Sequence, residues 1–349
     1  THGLAVVDDP GLLDEVTGLV EWPVPLIGAI DAAHMDLPAE VMQVSMRVNQ
    51  RYFALRDAMG HAAPFFAFVA NIEAPDGGRA IIAGNERVLR ARFADARHFW
   101  DLDRRTKLAD RVAALDSITF HAKLGTQGAR VRRIIALAQH LAPLVGADVG
   151  HAARAALLAK ADLTSGMVGE FPELQGVMGG YYAAHDGEEP CVALAVREHY
   201  LPKGAGDDLP SNPVGVAVAL ADKLDQIVSF FAVGEKPTGS GDPFALRRAA
   251  LGVIRIVREG RLRLGLRGIA EVAGQGNAAV AAEVLDFLLD RLRVQLRAEG
   301  ARHDVLNAVL GAGQDDDIVR LLARTEAVAA FVGTEAGGND VARTAYRAG

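Results

Sequence analysis

The feature that most constrains the fold of this chain is a long segment whose apolar residues recur at helical spacing. From about Thr106 to Phe231 they repeat roughly every 3.6 residues, the period that places side chains on one face of an α-helix. Clusters of Gly, Pro and Asp interrupt the pattern at 146–148, 186–190 and 202–213. We therefore predict an all-helical domain over residues 105–233.

The residues before this domain have a different pattern. The short apolar runs Val24–Ile27 and Phe65–Val69 are separated by Pro, Gly and Asp, which is typical of β-strands. Pro75–Gly78 predicts a turn, and Asn85 beyond it is a candidate N-cap for a following helix. We predict a mixed α/β region over residues 1–104.

The remainder of the chain returns to helical spacing. Residues 234–243, rich in Gly, Pro, Ser and Thr, predict a linker, and helices resume at Phe244 and over 278–300. Asp315–Asp317 is predicted to cap a last helix within a helical region over 244–349. The predicted fold class is α+β, predominantly α, with a mixed N-terminal part, a helical domain and a C-terminal helical segment.

Composition excludes several classes of protein. Half of the 349 residues are hydrophobic and the net charge is -7, so the chain is globular and is not coated with positive charge. Its single cysteine, Cys191, cannot form an internal disulfide, which is typical of a reducing compartment. No apolar run approaches the roughly 18 residues of a membrane helix, and no leader pattern opens the chain. We expect a cytoplasmic protein that does not enter a membrane.

Positive charge is nevertheless concentrated in one segment. Residues 243–267 contain seven arginines and one acid, Glu259. On a helix starting at Phe244, four of the arginines share roughly a quarter to a third of the circumference, opposite the apolar residues. These four, called the arginine stripe below, are Arg247, Arg248, Arg255 and Arg258. Two interpretations stay open: a face that binds phosphate, or a solvated face paired to neighbouring acids.

The helical domain contains a second informative stretch, Ala156–Leu163. It resembles the helix that carries the metal-binding His-Asp pair of HD-domain phosphohydrolases, but Ala159 and Lys160 occupy the places of the pair. Alanine has no lone pair to donate, and a lysine ammonium brings positive charge where a divalent ion needs imidazole and carboxylate ligands. We predict a degenerate HD-like domain with no catalytic residue, no metal site and no cofactor in this chain.

Two alternatives follow from the residues. A metal-dependent phosphohydrolase would need an HD site rebuilt from Asp162, His199, Asp222 and Asp225, of which the last two share a helix face. The sequence has neither a phosphate loop nor a nucleophile elbow. The other alternative is a helical interaction scaffold, in which acidic protein surface would cover the arginine stripe.

Several longer motifs point to a family. They are Leu13–Pro23, Phe68–Glu73, Gly84–Val88, Ala94–Ala96 with Phe99–Trp100, Lys123–Thr126, Glu170–Gly179, Ala205–Pro213 and Asp242–Ala250. Through these motifs nearly the whole chain resembles the central and later part of the β subunit of bacterial heterotetrameric glycyl-tRNA synthetase.

The resemblance implies a role in protein biosynthesis. In this family a separate α subunit carries the class II active site, with ATP, Mg and glycine, while the β subunit binds tRNA and supports an α2β2 assembly. The chain is then expected to be the non-catalytic subunit of a glycine-tRNA ligase, with its last region leading toward an anticodon-binding domain. The motif Phe244–Ala250 is similar to helices that contact tRNA in other synthetases, which favours the arginine stripe as the tRNA-binding face.

Overall fold

The computed structural model describes residues 3–311 and 315–334, and the chain forms two compact units. The first unit comprises Thr1–Lys107 and Asp162–Met178, and the second comprises Leu108–Ala161 and Gly179–Gly349. The boundaries predicted from sequence at 104/105, 233/234 and 243/244 stay predictions. Residues 312–314 and 335–349 of the predicted last region lie outside the described residues.

The described elements are mostly helices. The helices are α1 Pro10–Leu19, α2 Ala39–Gln50, α3 Arg79–Asp103, α4 Gln127–Leu141, α5 Val149–Leu158, α6 Gly166–Glu170, α7 Val177–His185, α8 Pro190–Glu198, α9 Pro213–Ala232, α10 Leu246–Glu259, α11 Leu266–Ala273, α12 Ala278–Ala298, α13 His303–Gly311 and α14 Ile318–Val332. The strands are β1 Ala5–Val6, β2 Val24–Ala29, β3 Phe53–Arg56, β4 Ala62–Ala70, β5 Thr119–His121 and β6 Gly125–Thr126. The predicted class, α+β and predominantly α, is confirmed.

The sheet of the first unit contains both strands predicted from the apolar runs. Its order is β1-β3-β4-β2 and every pairing is antiparallel, with Leu26 of β2 opposite Phe68 of β4. Phe66 is fully buried beneath the sheet and stacks on Tyr52, with ring centroids 4.7 Å apart. A Cβ at Gly28 would lie 2.5 Å from the Phe66 ring, so glycine allows this ring to pack against β2.

The start of α3 differs from the prediction. Asn85 does not cap this helix, which begins at Arg79 after Gly78. The carboxylate of Asp76 accepts hydrogen bonds from the backbone N–H groups of Gly78 and Ala80, so amides at the start of the helix are satisfied upstream of Asn85. Asn85 instead lies within α3 and donates its side-chain amide to the Ile81 carbonyl.

The second unit is built around α9. This helix is buried along nearly its whole length and packs against α4, α5, α8, α10, α11 and α12. A helix surrounded on all sides must be apolar on nearly all sides, and the polar exceptions in α9 are Asp222, Lys223, Asp225, Gln226 and Ser229. The hairpin of β5 and β6 is a short exception to the all-helical pattern expected for this part of the chain.

The helices of the C-terminal part begin close to their predicted positions. The carboxylate of Asp242 accepts from the backbone N–H groups of Leu246 and Arg247 at the start of α10. Asp317 caps α14 through the N–H of Arg320, which confirms the predicted role of the acidic triplet. Across the described residues, none of the helices has the length and apolarity required to cross a membrane.

Candidate nucleic-acid interface and buried charge cluster

The arginine stripe lies on α10, a strongly amphipathic helix. The apolar arc of the helix faces the core of the second unit, and its residues Val253, Ile254 and Val257 are fully buried. This burial fixes the rotation of the helix and directs the opposite, arginine-bearing arc outward. The prediction that the arginine-bearing face of α10 points away from the core is therefore confirmed.

The four arginines do not share one environment. Arg248 is exposed and has no hydrogen-bond or ion-pair partner within residues 3–311 and 315–334. Arg255 pairs with Glu259, Nε to Oε1 2.6 Å, and Arg258 pairs with Glu299, Nη1 to Oε1 2.7 Å. Arg247 turns away and donates to the carbonyl of Gly239 at 2.7 Å. Three arginines thus remain on one surface, and two of those are paired to acids.

This surface is a groove in the second unit, called the α10–α12 groove below. Its volume is about 650 Å³. Its walls come from α10, the C-terminal part of α12 and the loop that follows Leu201. The lining residues are Pro202, Lys203, Gly204, Ala205, Arg248, Leu251, Gly252, Arg255, Arg258, Glu259, Val294, Gln295, Ala298 and Glu299. Packing therefore adds Lys203, an apolar floor and two carboxylates to the arginines.

The ion pair between Arg258 and Glu299, at the rim of the groove, shifts the pKa values of both side chains. The hydrogen bond that Arg258 donates to Glu299 raises the pKa of the guanidinium and lowers the pKa of the carboxyl. Both groups consequently keep their charge over the physiological range. An incoming phosphate would meet a guanidinium already bonded to a carboxylate, whereas Arg248 presents its guanidinium without such a competitor.

A second feature of this unit is a cluster of buried charges around Lys160, which follows the end of α5. The Lys160 ammonium lies 2.9 Å from His199 Nε2 and 3.0 Å from Asp222 Oδ2. It also lies 3.7 Å from the centroid of the Tyr200 ring. Arg130 donates to the other Asp222 oxygen, Oδ1, at 2.9 Å. The residue predicted to replace a metal ligand is thus the cation that binds an imidazole and a carboxylate.

Electrostatics explain why these groups tolerate burial. Burial and the Lys160 charge lower the pKa of His199 well below 6.5, so the imidazole is neutral. Its Nδ1 lies 2.6 Å from the Val196 carbonyl, which identifies Nδ1 as the donor and Nε2 as the acceptor from Lys160. Burial alone would raise the pKa of Asp222, but Lys160 and Arg130 outweigh it and lower that pKa well below 3.8.

The neighbouring charges of α9 have different partners. Arg133 donates to Asp225, Nε to Oδ1 2.7 Å, although burial still raises the pKa of that carboxyl. Lys223 donates to the carbonyls of Tyr200 and Leu201, and burial lowers its pKa to about 8. Lys223 therefore ties α9 to the chain that immediately precedes the groove loop.

These contacts bear on the rebuilt metal site considered from sequence. Asp162 belongs to the first unit, where its Oδ2 accepts from the N–H of Gly176 at 2.6 Å. In the second unit an ammonium lies between His199 and Asp222, and a divalent ion does not fit beside it. No group of three or more His, Cys, Asp and Glu side chains suited to a metal occurs among the described residues. The absence of a metal in the protein itself stays a prediction.

Sequence reasoning missed part of both features. It found Lys160 as a substitution, yet it did not connect Lys160 to His199 and Asp222, and it missed Lys203, Val294 and Glu299 at the groove. A lysine within the apolar run Ala156–Ala161 was the available signal, because a buried ammonium requires partners. The groove itself could not be predicted from any single stretch of sequence, because its walls come from three separate segments.

Comparison with known proteins agrees with the motifs. A family model described as glycyl-tRNA synthetase beta subunit matches residues 1–311. The chain is 58% identical over 342 residues to a glycine–tRNA ligase beta subunit of Phenylobacterium zucineum, covering 97% of this chain and 50% of that protein. It is 53% identical over 346 residues to the beta subunit of Rhodospirillum centenum, covering 97% of this chain and 48% of that protein.

These similarities show that the chain is a component of an aminoacyl-tRNA synthetase. More particularly, the chain belongs to the glycyl-tRNA synthetase beta subunit family. The chain spans about half the length of the curated relatives that it matches.

Proposed function

We propose that this chain is part of the non-catalytic, tRNA-binding and assembly subunit of a cytoplasmic glycine-tRNA ligase. A separate α subunit would bind ATP, Mg and glycine and attach the amino acid, within an α2β2 heterotetramer. The β subunit would hold tRNA so that its acceptor end reaches the α subunit. Membership of the beta subunit family supports this proposal.

The observation that carries the tRNA-binding part is the α10–α12 groove. It gathers Lys203, Arg248, Arg255 and Arg258 at one surface of a chain whose net charge is -7. Guanidinium groups match phosphate oxygens in two-point geometry, and a local cationic surface attracts an RNA backbone even when the protein is acidic. Arg247 also remains a proposed tRNA contact, from beside the linker rather than from the groove.

The degenerate HD-like domain has a structural place in this proposal. The Lys160 ammonium lies between His199 and Asp222, where it would join helices of the second unit in the place that a metal takes in an HD hydrolase. Through Lys223, α9 also supports the chain that leads into the groove loop. The domain would then position the groove and take no part in chemistry.

A salt titration of tRNA affinity tests the proposal. We expect Arg248→Ala with Arg255→Ala to weaken tRNA binding by the assembled α and β subunits. The negative slope of log affinity against log salt should become shallower, its magnitude decreasing by about 0.7–0.9 for each phosphate that the variant no longer binds. Arg267→Ala is the matched control, since Arg267 is exposed on α11 outside the groove. Unchanged affinity and slope in the double variant would support the scaffold, whose acid-paired face the Arg255 and Arg258 ion pairs favour.

A further inference from the structure

The α10–α12 groove combines an apolar floor with a charged rim. Leu251 and Val294 on the floor are 42% and 48% exposed, and Gly252 and Ala298 beside them have little or no side chain. The rim carries four cations and, among the lining residues, only the two carboxylates of Glu259 and Glu299. A ligand that complements this surface has an anionic part next to a flat apolar part.

The dimensions of the groove favour a small occupant. Its volume of about 650 Å³ lies within the range of roughly 300–1,000 Å³ typical of sites that hold one small molecule. An amphipathic protein helix would need anchor pockets for three or four side chains along its length. The floor offers two exposed aliphatic side chains, Leu251 and Val294, which match the face of a single planar ring system.

We propose, resting on the tRNA-binding function proposed above, that the groove holds one unpaired nucleotide of an RNA strand. Its base lies on Leu251 and Val294, and its phosphate is bound by Arg248. A base within a duplex is stacked between its neighbours and does not reach the floor, so the groove distinguishes unpaired from paired RNA. Arginine guanidinium planes at the rim add surfaces on which a base stacks.

In this proposal, Glu299 at the rim lowers the affinity of the groove for RNA. Glu299 forms an ion pair with the Arg258 guanidinium, Nη1 to Oε1 2.7 Å. Because 41% of its side chain is exposed, the Glu299 carboxylate can move into solvent without disturbing the core. A phosphate bound by Arg248 gains a second contact, with Arg258, only after this ion pair is broken. Glu299 is therefore an internal competitor that limits the affinity of the groove.

The experiment measures fluorescence anisotropy of this chain with two labelled RNAs, an oligouridylate too short to fold and a duplex of the same strand length. We expect Val294→Ser to weaken oligouridylate binding about fourfold, the effect of withdrawing roughly one buried CH₂ group from an apolar contact, and to leave duplex binding unchanged. Val272→Ser is the matched control, because Val272 is 44% exposed on α11 outside the groove. Thermal unfolding verifies that both variants remain folded.

A second pair of variants tests the competitor. Glu299→Gln removes the carboxylate charge and should raise oligouridylate affinity about two- to fivefold, the value of an exposed ion pair. Glu283→Gln is its control, since Glu283 lies on α12, the helix that Glu299 directly follows, pairs with Lys236 and is 50% exposed. Equal effects of the two substitutions would overturn the role of Glu299.

An absent nucleotide site and an absent tRNA-binding function give different results in these experiments. If Arg248→Ala weakens both RNAs while Val294→Ser behaves like Val272→Ser, the groove binds phosphate only and the nucleotide site is wrong. If Arg248→Ala with Arg255→Ala leaves tRNA affinity unchanged, the tRNA-binding function itself fails. If Val294→Ser weakens binding of the α subunit and not of oligouridylate, the groove is a protein-docking surface and the inference is wrong.

Discussion

The ammonium of Lys160 lies 3.0 Å from the carboxylate of Asp222 at a position where both residues are almost inaccessible, 1% and 4% exposed. An isolated charge in such a place would cost several kcal/mol, so each group depends on the other. The pair also holds the neutral imidazole of His199 through Lys160. A charge built into the chain thus joins α9 to residues near the ends of α5 and α8.

Removing this cation should destabilise the protein strongly. We expect Lys160→Met to lower the free energy of unfolding by about 3–5 kcal/mol, because Asp222 would keep a buried charge with one partner fewer. Urea unfolding of the purified chain measures the decrease. Lys236→Met is the control, since its ion pair with Glu283 is exposed and should contribute at most about 1 kcal/mol. Similar decreases in the two variants would contradict the assigned role of Lys160.

His199 should make the stability fall as the solution is acidified. The pKa of its imidazole lies well below 6.5 in the folded chain, because burial and the Lys160 charge oppose protonation. Below pH 6.5 the unfolded state therefore binds a proton that the folded state does not. The stability is therefore unaffected by His199 above this pH, and it falls by about 1.4 kcal/mol per pH unit below it until the folded-state pKa of His199 is reached.

The measurement is urea unfolding between pH 7 and pH 5 for wild type and His199→Gln, with pH values chosen around the usual histidine pKa of about 6.5. The variant should lose less stability on acidification than wild type. His140→Gln, at an exposed position on α4, should retain the wild-type dependence. If His199→Gln shows the wild-type slope, the histidine is not buried in its neutral form.

Gly252 should be intolerant of a side chain because of Lys223. A Cβ at Gly252 would lie 2.6 Å from Lys223 Cε, and the Lys223 ammonium is held by the Tyr200 and Leu201 carbonyls. We expect Gly252→Ala to lower stability by about 1–3 kcal/mol, the usual effect of overpacking. Gly268→Ala, where nothing lies within 4 Å of the added Cβ, should instead stabilise α11 by about 0.5–1 kcal/mol. Thermal unfolding distinguishes a general glycine effect from this specific contact.

The purified chain should bind no stoichiometric divalent metal. An ammonium between His199 and Asp222 repels a second cation, and Asp225 is engaged by Arg133. Elemental analysis after dialysis measures the metal content. A stoichiometric transition metal, or phosphatase activity that chelators inhibit and Asp222→Ala abolishes, would establish the rebuilt HD site instead.

The chain by itself should not form glycyl adenylate. The sequence has no recognisable nucleotide-binding motif, and the proposed function assigns ATP, Mg and glycine to the α subunit. We expect no exchange of pyrophosphate into ATP with glycine present, and exchange when the α subunit is added. Exchange by this chain alone would contradict the non-catalytic role.

Local patterns made a substantial part of the fold predictable. The strands β2 and β4, the amphipathic α10 and the Asp317 cap were all identified from residues close together in sequence. The same holds for family membership, because short motifs carry it. The cap assigned to Asn85 was wrong for a related reason: Asp76, nine positions earlier, satisfies amides at the start of the same helix.

The sequence by itself determined the strands β2 and β4, the helical character of most of the chain, the unusual lysine in the apolar run Ala156–Ala161, and the shared arc of Arg248, Arg255 and Arg258. Only the tertiary structure decided what these residues contact. His199 and Asp222 are 39 and 62 residues from Lys160, and Glu299 is 41 residues from Arg258. Periodicity within a helix sets the direction of a side chain, but the helix that packs opposite it supplies the partner, and that packing depends on the whole buried surface around α9.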